Sequence, residues 1–456
     1  LYARRGFRTV KVILPEQQTA SGEFRIKVIE ARIGSVIVNG NQHFSDRQIL
    51  AAVPALQEGE SPDMLRVTRQ VQVANENPAR QMAVILKESR GDALVDAVVQ
   101  VADQTPLRAI AYLDNTGSTQ TGRFRLGGAL QHANLFGREH VLTLQAATSP
   151  GHVKDVSILG LGYRIPFYSV ESTLDLSASY SDVDSGRVAG VGGGPDLNIS
   201  GSGSTFGATF TRQLAAPGDW RQKLGLGLEY KFFRNQVLAG STSLIPNLAS
   251  RPLSLIYSLA RREPAGGVNL RLALSHNLPG GTDNNTAAYQ QAGARSEATA
   301  NFLVLRWHAG MDRTFANDWT LSGNASGQWT RDALIPGEQF GIGGAQSVRG
   351  FDERVLANDQ GLRTSVELTA PNIANRLDLQ DFALRPGVFW DFGHVWRNHA
   401  LPGEIEHSSI ASVGASIRAT FGSRASFSAD YGIVTVPGAG RQRGDARLHA
   451  SFVLQF

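Results

Sequence analysis

The sequence predicts a membrane β-barrel of about 16 antiparallel strands preceded by small α+β domains. Three observations predict it. Apolar residues alternate with period two from about residue 107 to the end. No apolar run reaches the ~18 residues that a spanning helix needs. Clear helix-start signals occur only in the first hundred residues.

The alternation is explicit in Leu224-Gly-Leu-Gly-Leu-Glu-Tyr-Lys-Phe232, where Leu224, Leu226, Leu228, Tyr230 and Phe232 share one face and Gly225, Gly227, Glu229 and Lys231 the other. Leu174–Tyr180 repeats the pattern. So does the end of the chain, where Leu448, Ala450, Phe452, Leu454 and Phe456 oppose Arg447, His449, Ser451 and Gln455, with Val453 the one apolar exception. Turn-rich stretches at 190–195, 198–203 and 279–285 separate such runs. A soluble β-sandwich alternates too, but closure into a barrel removes exposed strand edges at any strand number. Sixteen strands of ~10 residues would use about 160 residues and leave about 190 for connections, which suits short turns at one end and long loops at the other.

Charged residues make up only 18% of the chain and Cys is absent, so neither a disulfide nor a thiolate metal site is expected. The net charge of +4 is scattered, which argues against a nucleic-acid partner. Histidines follow no metalloprotease spacing, and neither a phosphate loop nor a nucleophile elbow is present in the sequence, so no metal, nucleotide or other cofactor is expected. A barrel hydrolase with a Ser/His pair hidden from sequence spacing is the remaining enzymatic reading.

The first hundred residues read differently. Ser45-Asp-Arg-Gln48 is a capping-box pattern opening a short helix, and Pro62 starts a second helical stretch that must stop near Asn77-Pro78. Strand-like runs at 35–38, 81–87 and 93–101 complete the order β-α-α-β-β, and either of the last two could offer a docking edge. Upstream, 2–7 reads as a helix and 10–14 and 24–29 as strands of a preceding domain, so the chain is expected to begin inside that domain. Residues 1–7 have no apolar signal-peptide core.

The segment Gly341-Ile-Gly-Gly-Ala-Gln-Ser-Val-Arg-Gly-Phe351 carries one arginine, Arg349, among glycines and small residues, which suits a loop tip that delivers a permanent cation. Asp391, within Phe389-Trp-Asp-Phe-Gly393, is the obvious acceptor. Arg can give a carboxylate two hydrogen bonds where Lys gives a point charge, and the contact is expected to be wet. Glu353 reads as a solvated residue or a second anion near the tip. Trp390 and Trp396 suit the lipid interface, and Asn115–Gly122 a hairpin connection.

These motifs, Val348-Arg349-Gly350-Phe351 and Phe389-x-Asp391-x-Gly393, resemble the lumen loop and barrel-wall strand of outer-membrane β-barrels that carry periplasmic POTRA domains. Asn75-Glu-Asn-Pro-Ala-Arg80, Tyr112–Gly122 and Asn134-Leu-Phe-Gly137 narrow the resemblance to two-partner secretion transporters of the haemolysin-activator and filamentous-haemagglutinin-exporter type. The resemblance implies the end of a first POTRA domain at 1–33, a second at 34–105, and a barrel at 106–456 with a lumen loop around 341–360. It places the barrel in the outer membrane of a Gram-negative bacterium with the POTRA domains in the periplasm. It also implies a pore that exports a partner exoprotein bearing an N-terminal secretion domain: an adhesin, a haemolysin or a contact-dependent toxin. Further expectations are contact with outer-membrane lipid, a monomer, no cofactor, and a terminal Phe456 read by barrel-assembly machinery. The plug helix of such transporters is missing from the sequence. A barrel-assembly insertase of the same superfamily is the alternative function, and a passive porin a more distant one.

Overall fold

In the computed structural model, sixteen antiparallel strands close into a barrel between Leu107–Asp114 and Ala446–Gln455. The structure describes residues 2–456 except 3, 4, 8, 18–23, 91, 92, 120, 155, 184, 185, 189–196, 200, 201, 235–237, 240, 241, 244, 245, 292–294 and 378–380. The turn expected at 190–195, part of the turn expected at 198–203 and part of the helix expected at 2–7 lie outside the described residues. Among the described residues no helix is long and apolar enough to cross a membrane.

Period-two alternation sets which side chains meet lipid. Leu224, Leu226 and Leu228 are exposed on the outer wall, so Lys223, Gly225 and Gly227 on the opposite parity point into the lumen. Connections at the end that holds the α+β region are short, such as 136–139, 215–219 and 264–265. Those at the opposite end are long, 278–302 and 330–359 above all.

The ring closes where Ser451–Gln455 pairs with Ile110–Asp114. That ladder is shorter than the one between Phe382–Trp396 and His407–Phe421, but two residues extend it. Phe456 N–H donates to Ala109 O at 2.8 Å, and Ala109 N–H to Phe456 O at 3.1 Å. At the far end Asn115 donates through Nδ2 to Leu448 O at 2.8 Å and accepts from Ala450 N–H at 2.8 Å. The Asn115–Gly122 connection is therefore a hairpin loop whose first residue also clasps the seam.

The α+β region has the strand and helix order read from sequence. Arg32–Asn39, Asp46–Ala51, Met64–Ala74, Arg80–Glu88 and Leu94–Asp103 follow in turn. Ser45 and Gln48 form a reciprocal capping box, and Asp63 caps the second helix. One expectation needs correcting. Leu94–Asp103 lies between the other two strands, parallel to Arg32–Asn39 and antiparallel to Arg80–Glu88, so it has no free edge. Sheet order is not chain order here, because the two helices carry the chain across the sheet. The edge of Arg32–Asn39 is partly covered: Ile33 N–H donates to Glu60 O at 2.9 Å and Val36 N–H to Glu58 Oε1 at 3.3 Å. Arg80–Glu88 is the more open edge.

Candidate functional site: a loop locked inside the barrel

The connection 330–359 leaves the long-loop end and turns inward. Its root is packed and pinned. Leu334 and Ile335 are buried with Tyr289 and Phe302, and Glu338 accepts from Ser250 Oγ at 2.7 Å and Arg306 Nη2 at 2.8 Å. A short ladder between Phe340–Ile342 and Leu356–Asn358 carries the tip. Gly343, Gly344 and Gly350 have φ of 104°, 102° and 95°, a region glycine enters without strain.

At the tip all five guanidinium N–H groups of Arg349 are used. Nε and Nη2 donate to Asp391 Oδ2 and Oδ1 at 2.8 and 2.9 Å. Nη1 donates to Glu367 Oε2 at 2.7 Å and Asp430 Oδ1 at 3.0 Å, and Nη2 also to Ser365 Oγ at 3.2 Å. The backbone N–H of Arg349 adds a bond to Asp391 Oδ2 at 3.0 Å. A lysine could not fill this set, because the contacts come from a planar fork facing several strands at once.

The wall motif has a simple geometric meaning. Phe389, Asp391 and Gly393 are successive inward positions of Phe382–Trp396. The Phe389 ring lies under the guanidinium, its centroid 3.3 Å from the central carbon, and Asp391 receives the fork. A Cβ on Gly393 would come within 2.9 Å of Ile342 and 3.0 Å of Val348, so glycine there clears room for the tip. Val348 and Phe351 are buried with Ile342, Val395, Ile410 and Val434, which anchors the tip by apolar contact on both sides of the arginine. Trp390 projects outward between these inward positions.

The contact is not wet, contrary to expectation. Arg349 is 5% exposed and Asp391 0%. The reason is close backbone approach: a Cβ on Gly432 would lie 2.7 Å from Gly350 N and 2.8 Å from the Arg349 carbonyl carbon. Glu353 is half-buried rather than solvated and accepts from Ala345 N–H at 2.7 Å.

Sequence reasoning missed Glu367, Asp430, Arg418 and His449. Arg418 Nη2 donates to Asp430 Oδ1 at 2.7 Å and sits 3.3 Å from Glu367 Oε1, so two cations face three carboxylates. His449 Nε2 accepts from Gly350 N–H at 3.1 Å, which requires the neutral ring. The available signal was a lone charged residue at an inward position of an alternating strand, as in Val366-Glu-Leu368, Ile417-Arg-Ala419 and Ala429-Asp-Tyr431.

Gly432→Ala tests the packing without removing a charge. The added methyl is expected to push the tip off the wall and make loop 330–359 protease-sensitive in a barrel of otherwise normal gel mobility. Protection equal to wild type would mean that the loop does not depend on this close approach.

A family model described as haemolysin secretion/activation protein ShlB/FhaC/HecB matches residues 95–419. The chain belongs to this family. Among curated relatives of this ShlB/FhaC/HecB member, the outer membrane transporter CdiB of Dickeya dadantii (strain 3937) is 26% identical over 381 residues, covering 79% of this chain and 62% of that protein. The heme/hemopexin transporter protein HuxB of Haemophilus influenzae (strain ATCC 51907 / DSM 11121 / KW20 / Rd) is 19% identical over 432 residues, 91% of this chain and 72% of its own. The chain thus spans about three-fifths of the CdiB relatives' length. The solved structure of CdiB from Escherichia coli superposes with a TM-score of 0.80 at 18% identity, covering all of this chain and 82% of that one. BamA from Haemophilus ducreyi, lacking POTRA domains 1–3, gives 0.56 at 15% identity over 99% and 91%. This family member is an outer-membrane β-barrel of the Gram-negative kind.

Proposed function

We propose that the chain is the outer-membrane pore of a two-partner secretion system, exporting one large exoprotein recognised by its N-terminal secretion domain. The observation that carries this reading is the lumen loop seated by Arg349 on Asp391, Glu367 and Asp430, inside a barrel whose inner face is polar. Val348, Arg349, Gly350 and Phe351 act as the loop's lock, and Phe389, Asp391 and Gly393 as its receptor. No cofactor, nucleotide or catalysis enters: the partner moves unfolded, and folding outside biases it against return. The residues divide as 1–33, 34–105 and 106–456, the first two parts as periplasmic POTRA modules, and the chain works as a monomer in lipid. The test is export of an exoprotein encoded in an adjoining reading frame when the two are co-expressed in a Gram-negative host lacking both.

Docking of the partner uses strand addition, in which main-chain hydrogen bonds tolerate varied side chains. The open edge is Arg80–Glu88. Met82 N–H bonds Asn75 Oδ1 rather than the central strand, so by alternation the N–H of Leu86 also points to the free side. Leu86→Pro removes that donor while sparing the ladder to Leu94–Asp103. It is expected to abolish partner binding to the periplasmic region with the barrel still inserted. Wild-type binding would move the docking site elsewhere.

Phe456 serves as the assembly signal. It is 76% exposed on the lipid side, and its backbone closes the seam. Its deletion is expected to lower the amount of heat-modifiable barrel without changing export per assembled molecule. Equal abundance in the membrane would refute this role. The insertase reading draws on the short seam ladder, but the clasps by Asn115 and Phe456 favour a seam that stays shut.

A further inference from the structure

The α+β region meets the barrel mouth through two kinds of contact. One is buried. Arg80 donates through Nη2 to Glu139 Oε2 at 2.9 Å, Tyr168 Oη shares the same carboxylate, and Asn77 Nδ2 donates to Ala133 O at 2.7 Å. Ala133 and Val141 of the barrel join the apolar core of the α+β region at this point. Breaking such a pair leaves an uncompensated charge out of water, so this contact is expected to persist.

The other contact is partly wet and reaches into the pore. Glu76, just past the helix Met64–Ala74, sets its carboxylate 2.6 Å from Lys223 Nζ, 2.5 Å from Gln213 Nε2 and 3.5 Å from Arg164 Nη1. All three partners face the lumen, since Leu224, Phe210 and Leu161 on the opposite parity of their strands are exposed outside. On the helix's other side Arg66 and Arg69 hold Glu171 at 3.1 and 3.3 Å. Glu171 is buried and belongs with the lasting contact, whereas Lys223 and Arg164 are 32% and 35% exposed around Glu76, so the Glu76 contact is the one more open to screening by salt.

We propose that Glu76 is a releasable latch that holds the α+β region across one sector of the pore mouth, turning on the fixed pivot of Arg80, Glu139 and Tyr168. Glu76 lies just before the open edge strand, whose first positions are covered by Asn75 and Asn77, so a polypeptide added along the free part, 84–88, and running on toward Arg80 arrives at the sector the latch closes. Release frees Lys223 to face the passing chain, while Arg164 stays on Asp175 at 2.6 Å. This rests on the export reading above.

The chain has no cysteine, so Glu76→Cys with Lys223→Cys creates a unique pair. Side chains that meet across an ion pair keep their backbones farther apart than the ~7 Å a direct disulfide tolerates. A short bifunctional thiosulfonate, cleavable by reductant, bridges them instead. The cross-link is expected to form, to leave gel mobility of the barrel unchanged, and to cut export by an order of magnitude or more until reductant restores it. Absence of the cross-link, or wild-type export while cross-linked, would overturn the latch. A second measurement is independent of any partner. In planar bilayers Glu76→Gln is expected to raise the frequency of conductance steps several-fold at low salt and to remove their salt dependence. Unchanged gating would overturn the latch as well. Failure of the unmodified protein to export its partner would instead count against the export reading.

Discussion

Arg349→Ala is expected to leave a folded, inserted barrel and to reduce export by an order of magnitude or more, the rate equivalent of ~1.4 kcal/mol. The strand ladders do not involve the Arg349 side chain, so closure of the barrel survives. The loop does not. Removing Arg349 leaves Asp391, Glu367 and Asp430 facing one another with Arg418 alone to offset them. Breaking one partner of a buried pair costs ~3–5 kcal/mol, more than a wet contact would. That cost falls on the docked position of the loop, so protease sensitivity of 330–359 is the readout to set beside export. Arg349→Lys should recover only part of both, because a point-charge ammonium cannot address Asp391, Glu367, Asp430 and Ser365 together. Asp391→Ala should resemble Arg349→Ala. The double variant should be little worse than either single one, since the residues act as one unit. Simple addition of the two defects would show that they act separately.

Glu139→Ala is expected to loosen the α+β region from the barrel at a cost of ~3–5 kcal/mol, because Arg80 is then buried without its carboxylate. Hydrogen exchange at 74–80 and 133–139 should rise while the barrel strands stay protected. Replacing both partners, Arg80→Met with Glu139→Leu, should restore most of the protection, since apolar side chains of similar volume fill the site without desolvating a charge. A double variant as loose as the single one would place the stability in specific hydrogen bonds, such as those of Tyr168 and Asn77, rather than in relief of the stranded charge.

Much of this was legible in sequence because its causes are local. Alternation such as Leu224 to Phe232 follows from the pleat, and the Ser45–Gln48 capping box lies within four consecutive residues. The pairing of Arg349 with Asp391 was legible from two motifs and chain chemistry. What the sequence hid depends on register and depth. Glu367 and Asp430 join Arg349 only because Gln360–Thr369 and Ala425–Val436 bring particular inward positions level with the loop tip. Dryness of the pair depends on Gly432 letting two backbones touch. The buried side of Leu94–Asp103 was hidden because the last strand of the α+β region inserts between the earlier two. Glu76 and Lys223 are far apart in sequence, and no periodicity links them.

Export with the loop lock intact and with it broken tests the account most directly. The chain and the exoprotein encoded beside it are co-expressed in a Gram-negative host lacking both, and the exoprotein in the medium is measured against the amount of heat-modifiable barrel in the outer membrane. The account predicts abundant exoprotein with the wild-type chain and an order of magnitude less with Arg349→Ala at equal barrel. Equal exoprotein in the medium from both would contradict the lock, and none from either would contradict export itself.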